Sequence, residues 1–170
     1  MVDDTFLFRT IRHTLEAIDL DLSNSCGKGI YFAPELFTSF RIGQEIVRNR
    51  ELIFGNRKIN WLRETRIVET GIHDLVFELN DTTIVFEIKL RGNIEDYRSD
   101  VFKLSKLPLA HRKYYIVLLD SFTEENDSRL TRLESELQET MVNIGHASFA
   151  TWNNWYKKQV YCNLNVYQIL

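Results

Sequence analysis

An α/β fold, with helices on both faces of a mixed sheet of about four to five strands, is predicted by three observations in the 170-residue sequence. Residues 71–90 (GIHDLVFELNDTTIVFEIKL) hold two apolar runs around Asn80-Asp81, a pair suited to the left-handed angles of a tight hairpin turn. Residues 114–119 (YYIVLL) are a near-continuous apolar run, the mark of a strand covered on both faces. Between them lies an amphipathic helical pattern, and strand, helix and parallel strand together make a right-handed crossover.

The remaining elements follow in order. Leu7, Ile11, Leu15, Ile18 and Leu22 recur at spacings of three and four, and Asp3 or Asp4 can cap the start, which predicts an amphipathic helix over 4–22. Residues 23–29 (SNSCGKG) read as a loop, and Gly27-Lys28-Gly29 is too short to cradle a phosphate. Ala33-Pro34-Glu35 opens a second helix reaching about Asn49. Proline suits a first helical position there, and an acid in the first turn complements the helix dipole. Its expected apolar stripe is Leu36, Phe37, Phe40, Ile46 and Val47. Gly55-Asn56 turns the chain into a strand over 58–68. Asn93 can cap a helix through Leu107 with Ile94, Tyr97, Val101 and Leu104 as its core stripe, and Pro108 ends it.

Leu130, Leu133, Leu137 and Met141 keep helical register over 124–141, with Glu124 and Glu125 in the first turn. In the aromatic-rich SFATWNNWYKK that follows, Trp152, Trp155 and Tyr156 either stack on bases or close a core or subunit contact. Val160, Cys162, Leu164 and Val166 alternate with Tyr161, Asn163 and Asn165, which predicts a half-buried C-terminal strand. No linker, repeat or low-complexity stretch interrupts the chain. One domain over 1–170 is expected, with its core at about 34–119 and a C-terminal helix and strand over 124–168.

The hairpin also carries the candidate chemistry. Centring the turn on Asn80-Asp81 puts Leu79 opposite Thr82, Val76 opposite Val85, and Asp74 opposite Glu87. Alternation then sends Asp74, Glu87 and Lys89 to one face beside Val76 and Val85. Leu75, Phe77, Leu79, Ile84, Phe86 and Ile88 go to the other. Opposed carboxylates repel, and a divalent cation between them relieves the repulsion. Mg²⁺ is satisfied by one or two carboxylates plus its own waters. The alternative is a surface Glu-Lys pair on an edge strand with an incidental Asp.

Asp74 on one strand, with Glu87-Ile88-Lys89 on the next, resembles the signature of the PD-(D/E)xK nuclease superfamily (restriction-endonuclease-like), although His73 stands where the motif has proline. Over about residues 34–119, half the chain, the order helix, three antiparallel strands, helix, strand also resembles that superfamily's core. The resemblance implies a metal-dependent phosphodiester hydrolase acting on DNA. Mg²⁺ or Mn²⁺ would be held by Asp74, Glu87 and the carbonyl of Ile88, with water activated at the ion. Lys89 would position that water or stabilise the pentavalent transition state. The resemblance further implies a glutamate on the helix preceding the sheet. Glu35 fits better than Glu45, because its end of the helix returns to the Asp74 end of the sheet and Glu45 lies about 15 Å further along. A dipole-complementing helix charge is equally open for Glu35. Arg98, Lys103 and Lys106 are positioned to meet backbone phosphates. His73 is expected on the face opposite Asp74, in a structural role.

Composition is permissive. The chain is 44% hydrophobic and 26% charged, enough for one sizeable core. No apolar run reaches membrane-span length, and the start MVDDTFLFRTIRH does not read as a signal peptide. Cys26 and Cys162 make neither a disulfide framework nor a metal-ligand spacing, so a reducing cytoplasm is expected, with both thiols as small buried hydrophobes. His13, His111 and His146 show no metal spacing either. A net charge of −3 does not itself favour nucleic acid, but residues 41–66 and 89–113 are locally basic. Sequence-specific cleavage is not expected of so small a chain; structure-directed cleavage, a homodimer or service as one subunit of a larger complex fits better. A second class of function uses the same fold as a catalytically silent binding or assembly module, and divalent-metal binding discriminates the two.

Overall fold

The structure, a computed structural model, describes residues 2–67, 70–125 and 127–170. Along these residues run α1 (Asp4–Cys26), α2 (Glu35–Arg48), α3 (Arg50–Phe54), β1 (Ile59–Ile67), β2 (Gly71–Leu79), β3 (Thr83–Leu90), α4 (Ile94–Ser105), β4 (Arg112–Ser121), α5 (Ser128–Glu136), β5 (Met141–Asn153) and β6 (Lys158–Ile169). The strands form one mixed α+β sheet in the order β1-β2-β3-β4-β6-β5, with β3 and β4 parallel and every other pair antiparallel. The expected succession of helix, three antiparallel strands, helix and parallel strand is present from α2 to β4.

The hairpin register is as the sequence predicts: Val76 pairs with Val85, and the Leu79 N–H donates to the Thr82 carbonyl. The turn does not use left-handed angles, however; the non-glycine residues with positive φ are Glu64, Arg91 and Lys157. The two faces separate as expected. Leu75, Phe77, Leu79, Ile84, Phe86 and Ile88 join a core shared with α1, α2 and α3. Val76 and Val85 join a second core under α4 and α5, with Tyr97, Val101, Leu104, Leu130 and Leu133. A row of rings, Trp61, Phe77, Phe86 and Tyr114, crosses four adjacent strands at centroid spacings of 6.2, 5.8 and 5.1 Å and ties them together.

Asp3 caps α1 by accepting from the Phe6 N–H at 3.0 Å, and the left-handed Gly27 ends it. Residues 23–26, expected in a loop, are therefore helical. Cys26 is exposed on that last turn, contrary to expectation, whereas Cys162 is buried. Pro34 is the cap of α2 rather than its first residue. The buried side of α2 is Thr38, Ser39, Ile42, Gly43 and Ile46; of the predicted stripe Ile46 is buried and Val47 packs against the core, but Leu36 and Phe37 are exposed. Small residues win that face because α2 lies close on β1: a Cβ on Gly43 would meet the Trp61 ring at 2.3 Å. The short α3 was not apparent in the sequence, being too brief to show periodicity. Val68, expected to end the first strand, lies outside the described residues.

The C-terminal third departs most. The sheet has six strands because residues from Met141 onward, read as the end of a helix, begin β5. The preceding helix is shortened to Ser128–Glu136, and its cap is Asp127, which accepts from Arg129 N–H at 2.8 Å. β6 is inserted between β4 and β5 and is covered on both faces, so Asn163 and Asn165 are buried rather than solvent-facing. Trp152, Trp155 and Tyr156 sit at the β5–β6 turn, largely exposed, and do not close this chain's own core. Among the described residues no helix is long and apolar enough to cross a membrane.

Candidate active site

The site is a seam where two paired strands part. β2 and β3 are laddered from the turn as far as Leu75 and Phe86, and the expected ladder pair Asp74–Glu87 does not form. Along β3 the N–H and C=O of Phe86, Ile88 and Leu90 point to the β2 side, because backbone direction alternates residue by residue. Past Phe86 that side has lost its strand, and the exposed donors need partners. Asp74 Oδ2 accepts from the Ile88 N–H at 2.7 Å, and Glu35 Oε2, from the first turn of α2, accepts from the Leu90 N–H at 2.8 Å. The same alternation turns the Ile88 carbonyl toward the seam.

A distortion in the edge strand accompanies the parting. The β1–β2 register runs through Arg63↔Leu75 and Thr65↔His73 but skips Glu64 opposite Asp74, and Glu64 holds a φ of 45°. A non-glycine residue in that region marks a local kink in the strand. His73 is consequently not turned away from the site. It is wholly buried, with Nδ1 2.5 Å from Glu87 Oε1, a close charge contact without hydrogen-bond alignment, and Nε2 2.7 Å from Thr70 Oγ1. The expectation of a face opposite the carboxylates assumed a regular strand, which this one is not.

Helix α4 supplies the other wall. Lys103 Nζ donates to Glu87 Oε1 at 2.5 Å and also to the Ile72 carbonyl. Lys89 Nζ lies 3.4 Å from Asp100 Oδ2, which also accepts from the Tyr115 hydroxyl at 3.2 Å. Burial, then the negative charge of Glu87, raises Asp74 from the ordinary aspartate range to about 6. Burial also lifts Asp100, with Lys89 opposing it. For Lys89, burial pulls downward, but Asp100 together with Glu35 and Asp96 leaves the ammonium titrating above its usual range. The seam therefore concentrates negative charge that Lys103 offsets only in part.

Of the residues singled out in the sequence, Asp74, Glu87, Ile88 and Glu35 converge, and Lys89 stands beside them facing α4. Glu45 is turned to Arg48 instead. Arg98 is held by Glu95 and Glu136 at 2.6 and 2.5 Å, and Lys106 lies over the Phe102 ring at 4.1 Å. Lys103, read as a phosphate contact, belongs to the site itself. Asp100 and Thr70 were not singled out. One signal could have found Asp100 and Lys103: both flank the Val101–Leu104 stripe of the crossover helix, which must lie on the face carrying Glu87 and Lys89.

Each of the three carboxylates commits one oxygen to a protein donor. Among the described residues no group of three or more His, Cys, Asp or Glu side chains is clustered tightly enough to hold a metal ion alone. A hard divalent ion does not require one; two carboxylates, a carbonyl and water meet its preference for oxygen, and the donor set here is of that kind. Comparison with protein-family models, with curated protein sequences and with solved structures finds no match.

Proposed function

We propose that this protein is a metal-dependent phosphodiester hydrolase of the PD-(D/E)xK type, acting on DNA, with a restriction-endonuclease-like core from α2 to β4. The observation that carries this reading is the placement of half-buried Asp74 and buried Glu87 together at an opened β2–β3 seam, with Asp74 raised to about 6 by burial first and by the charge of Glu87 second. Two carboxylates kept at mutual cost, with Glu35 beside them, are the arrangement a cation site needs. Asp74, Glu87 and the Ile88 carbonyl would hold Mg²⁺ or Mn²⁺, with Glu35 next to them. When bound, the ion supplies Lewis-acid polarisation of a phosphoryl oxygen and acidifies water.

The protein's own groups do the positioning. The Ile88 N–H fixes the Asp74 carboxylate, and the Leu90 N–H fixes Glu35. Lys103 holds one oxygen of Glu87, with His73 Nδ1 close beside that oxygen and Thr70 bonded to the other His73 nitrogen. Lys89 keeps its proton beside Asp100 and supplies positive charge for a phosphate as negative charge builds on it. Arg63 and Arg66 on the neighbouring edge strand, and Lys106 at the C-terminal cap of α4, present surface cations for a DNA backbone.

A second reading, a catalytically silent assembly module, is favoured by one observation: Asp74 and Glu35 each already satisfy a β3 backbone donor, a structural use that needs no metal. One experiment separates the two. Cleavage of single-stranded, duplex and branched DNA is assayed with Mg²⁺ or Mn²⁺, alongside Glu87→Gln and Lys89→Ala. Activity that falls by about a hundredfold or more in both variants is expected. Activity surviving both variants points to a contaminant or another site, and no activity together with no metal binding by calorimetry transfers the case to the assembly module.

A further inference from the structure

We propose that the cleft between α1 and α2 binds a phosphomonoester, with Arg41 as its principal ligand. The cleft has a volume of about 470 Å³, the size of a small-molecule site, and is separate from the seam. One stripe of each helix forms it: Phe6, Arg9 and His13 from α1, and Arg41 and Glu45 from α2. Arg41 lies six residues past Glu35, about 9 Å along the helix axis, so the two sites share α2 but not residues.

The Arg41 guanidinium carries the argument. Its Nε is buried and, among the described residues, has no hydrogen-bond partner. A charged donor removed from water without an acceptor is costly, and the described residues offer this N–H none. The acid best placed to answer it, Glu45 one turn on, is bonded to Arg48 instead. Arg9 stacks its guanidinium on the Phe6 ring at 4.0 Å, which holds a second cation at the rim. His13 adds a ring nitrogen, and Asn49 donates its amide N–H to the Glu45 carbonyl.

Two guanidiniums and an imidazole around a polar cleft, whose one lining carboxylate, Glu45, is paired with Arg48, match an oxyanion of high charge density. A planar guanidinium presents paired donors that suit phosphate oxygens. The apolar edge of Phe6 and the space beyond a bare phosphate favour an esterified one. The ester has two sources, a free nucleotide or the terminal phosphate of a DNA strand, and they share the chemistry that Arg41 recognises.

Calorimetry on the full chain with inorganic phosphate and with adenosine 5′-monophosphate tests this. Saturable binding of both is expected, weakened at least tenfold by Arg41→Gln and several-fold by Arg9→Gln. Arg12→Gln, which removes a cation paired with Glu16 on another side of α1, leaves it unchanged. Matching melting temperatures across the variants separate lost binding from lost folding. A 5′-phosphorylated oligonucleotide that binds better than its unphosphorylated twin, only while Arg41 is present, assigns the site to a strand end; equal binding of the two assigns it to the free ester. No heat with either small probe, or the same heat from Arg41→Gln as from the parent, overturns the proposal. Neither result bears on the seam.

Discussion

The seam and the C-terminal block bury polar groups in opposite ways. In the C-terminal block several such groups meet a complement, although Ser148 Oγ and Asn163 Oδ1 have no hydrogen-bond partner among the described residues. Lys113 Nζ donates to the Leu170 carbonyl at 2.9 Å, the Tyr167 hydroxyl to Glu134 at 2.9 Å, and Asn153 Nδ2 to Asp120 at 2.8 Å. At the seam Asp74, Glu87 and Glu35 stand within electrostatic reach of one another, and Asp74 bears the consequence. Satisfied burial is the signature of architecture; crowded like charge at a break in a ladder is the signature of a site.

Three substitutions sharpen or break that contrast. The largest effect belongs to the scaffold: Leu118 is fully buried in β4, and Leu118→Ala should cost about 2–5 kcal/mol in urea denaturation. It should leave the stabilisation conferred by Mg²⁺ unaltered. Asp74→Asn comes next and should act in the opposite sense. A folded-state carboxyl near 6 against about 4 when unfolded means the folded chain binds more protons in between. Stability therefore falls as pH rises through that window, and the charged form opposes folding above it. Removing the charge should add about 1–3 kcal/mol at pH 8, flatten the pH–stability curve between about 4 and 6, and abolish the Mg²⁺-induced shift in melting temperature. A destabilised Asp74→Asn would mean the carboxylate serves mainly as a cap for β3. The smallest effect is Tyr167→Phe, which removes the bond to Glu134 and should cost about 0.5–1.5 kcal/mol with no change in metal binding.

The sequence carried the seam's chemistry further than its shape. The Val76–Val85 register and the division of apolar faces follow from period and are present, and helical rise places Glu35 rather than Glu45 beside the seam. The part played by His73 was illegible because it depends on the left-handed Glu64 of a neighbouring strand, and no alternation pattern records a kink. The stripe on α2 was misjudged because burial there is decided by the Trp61 ring seated on Gly43, a contact between elements rather than a property of one. β5 was missed because its burial follows no clean alternation, with a register shift between Asn143 and Gly145. Asn163 and Asn165 looked solvent-facing for the same reason that β6 looked like an edge: only topology reveals that it lies inside the sheet.

That topology has a bearing on how the chain comes together. β4 emerges during synthesis well before β6, yet β6 is the neighbour that completes it. Until residues 158–169 arrive, β4 keeps one row of backbone donors and acceptors open beside some of the most apolar sequence in the chain, an edge that invites pairing with other chains. The central strands therefore cannot be sealed by their own half of the protein, and their safety against aggregation depends on the late arrival of a distant segment.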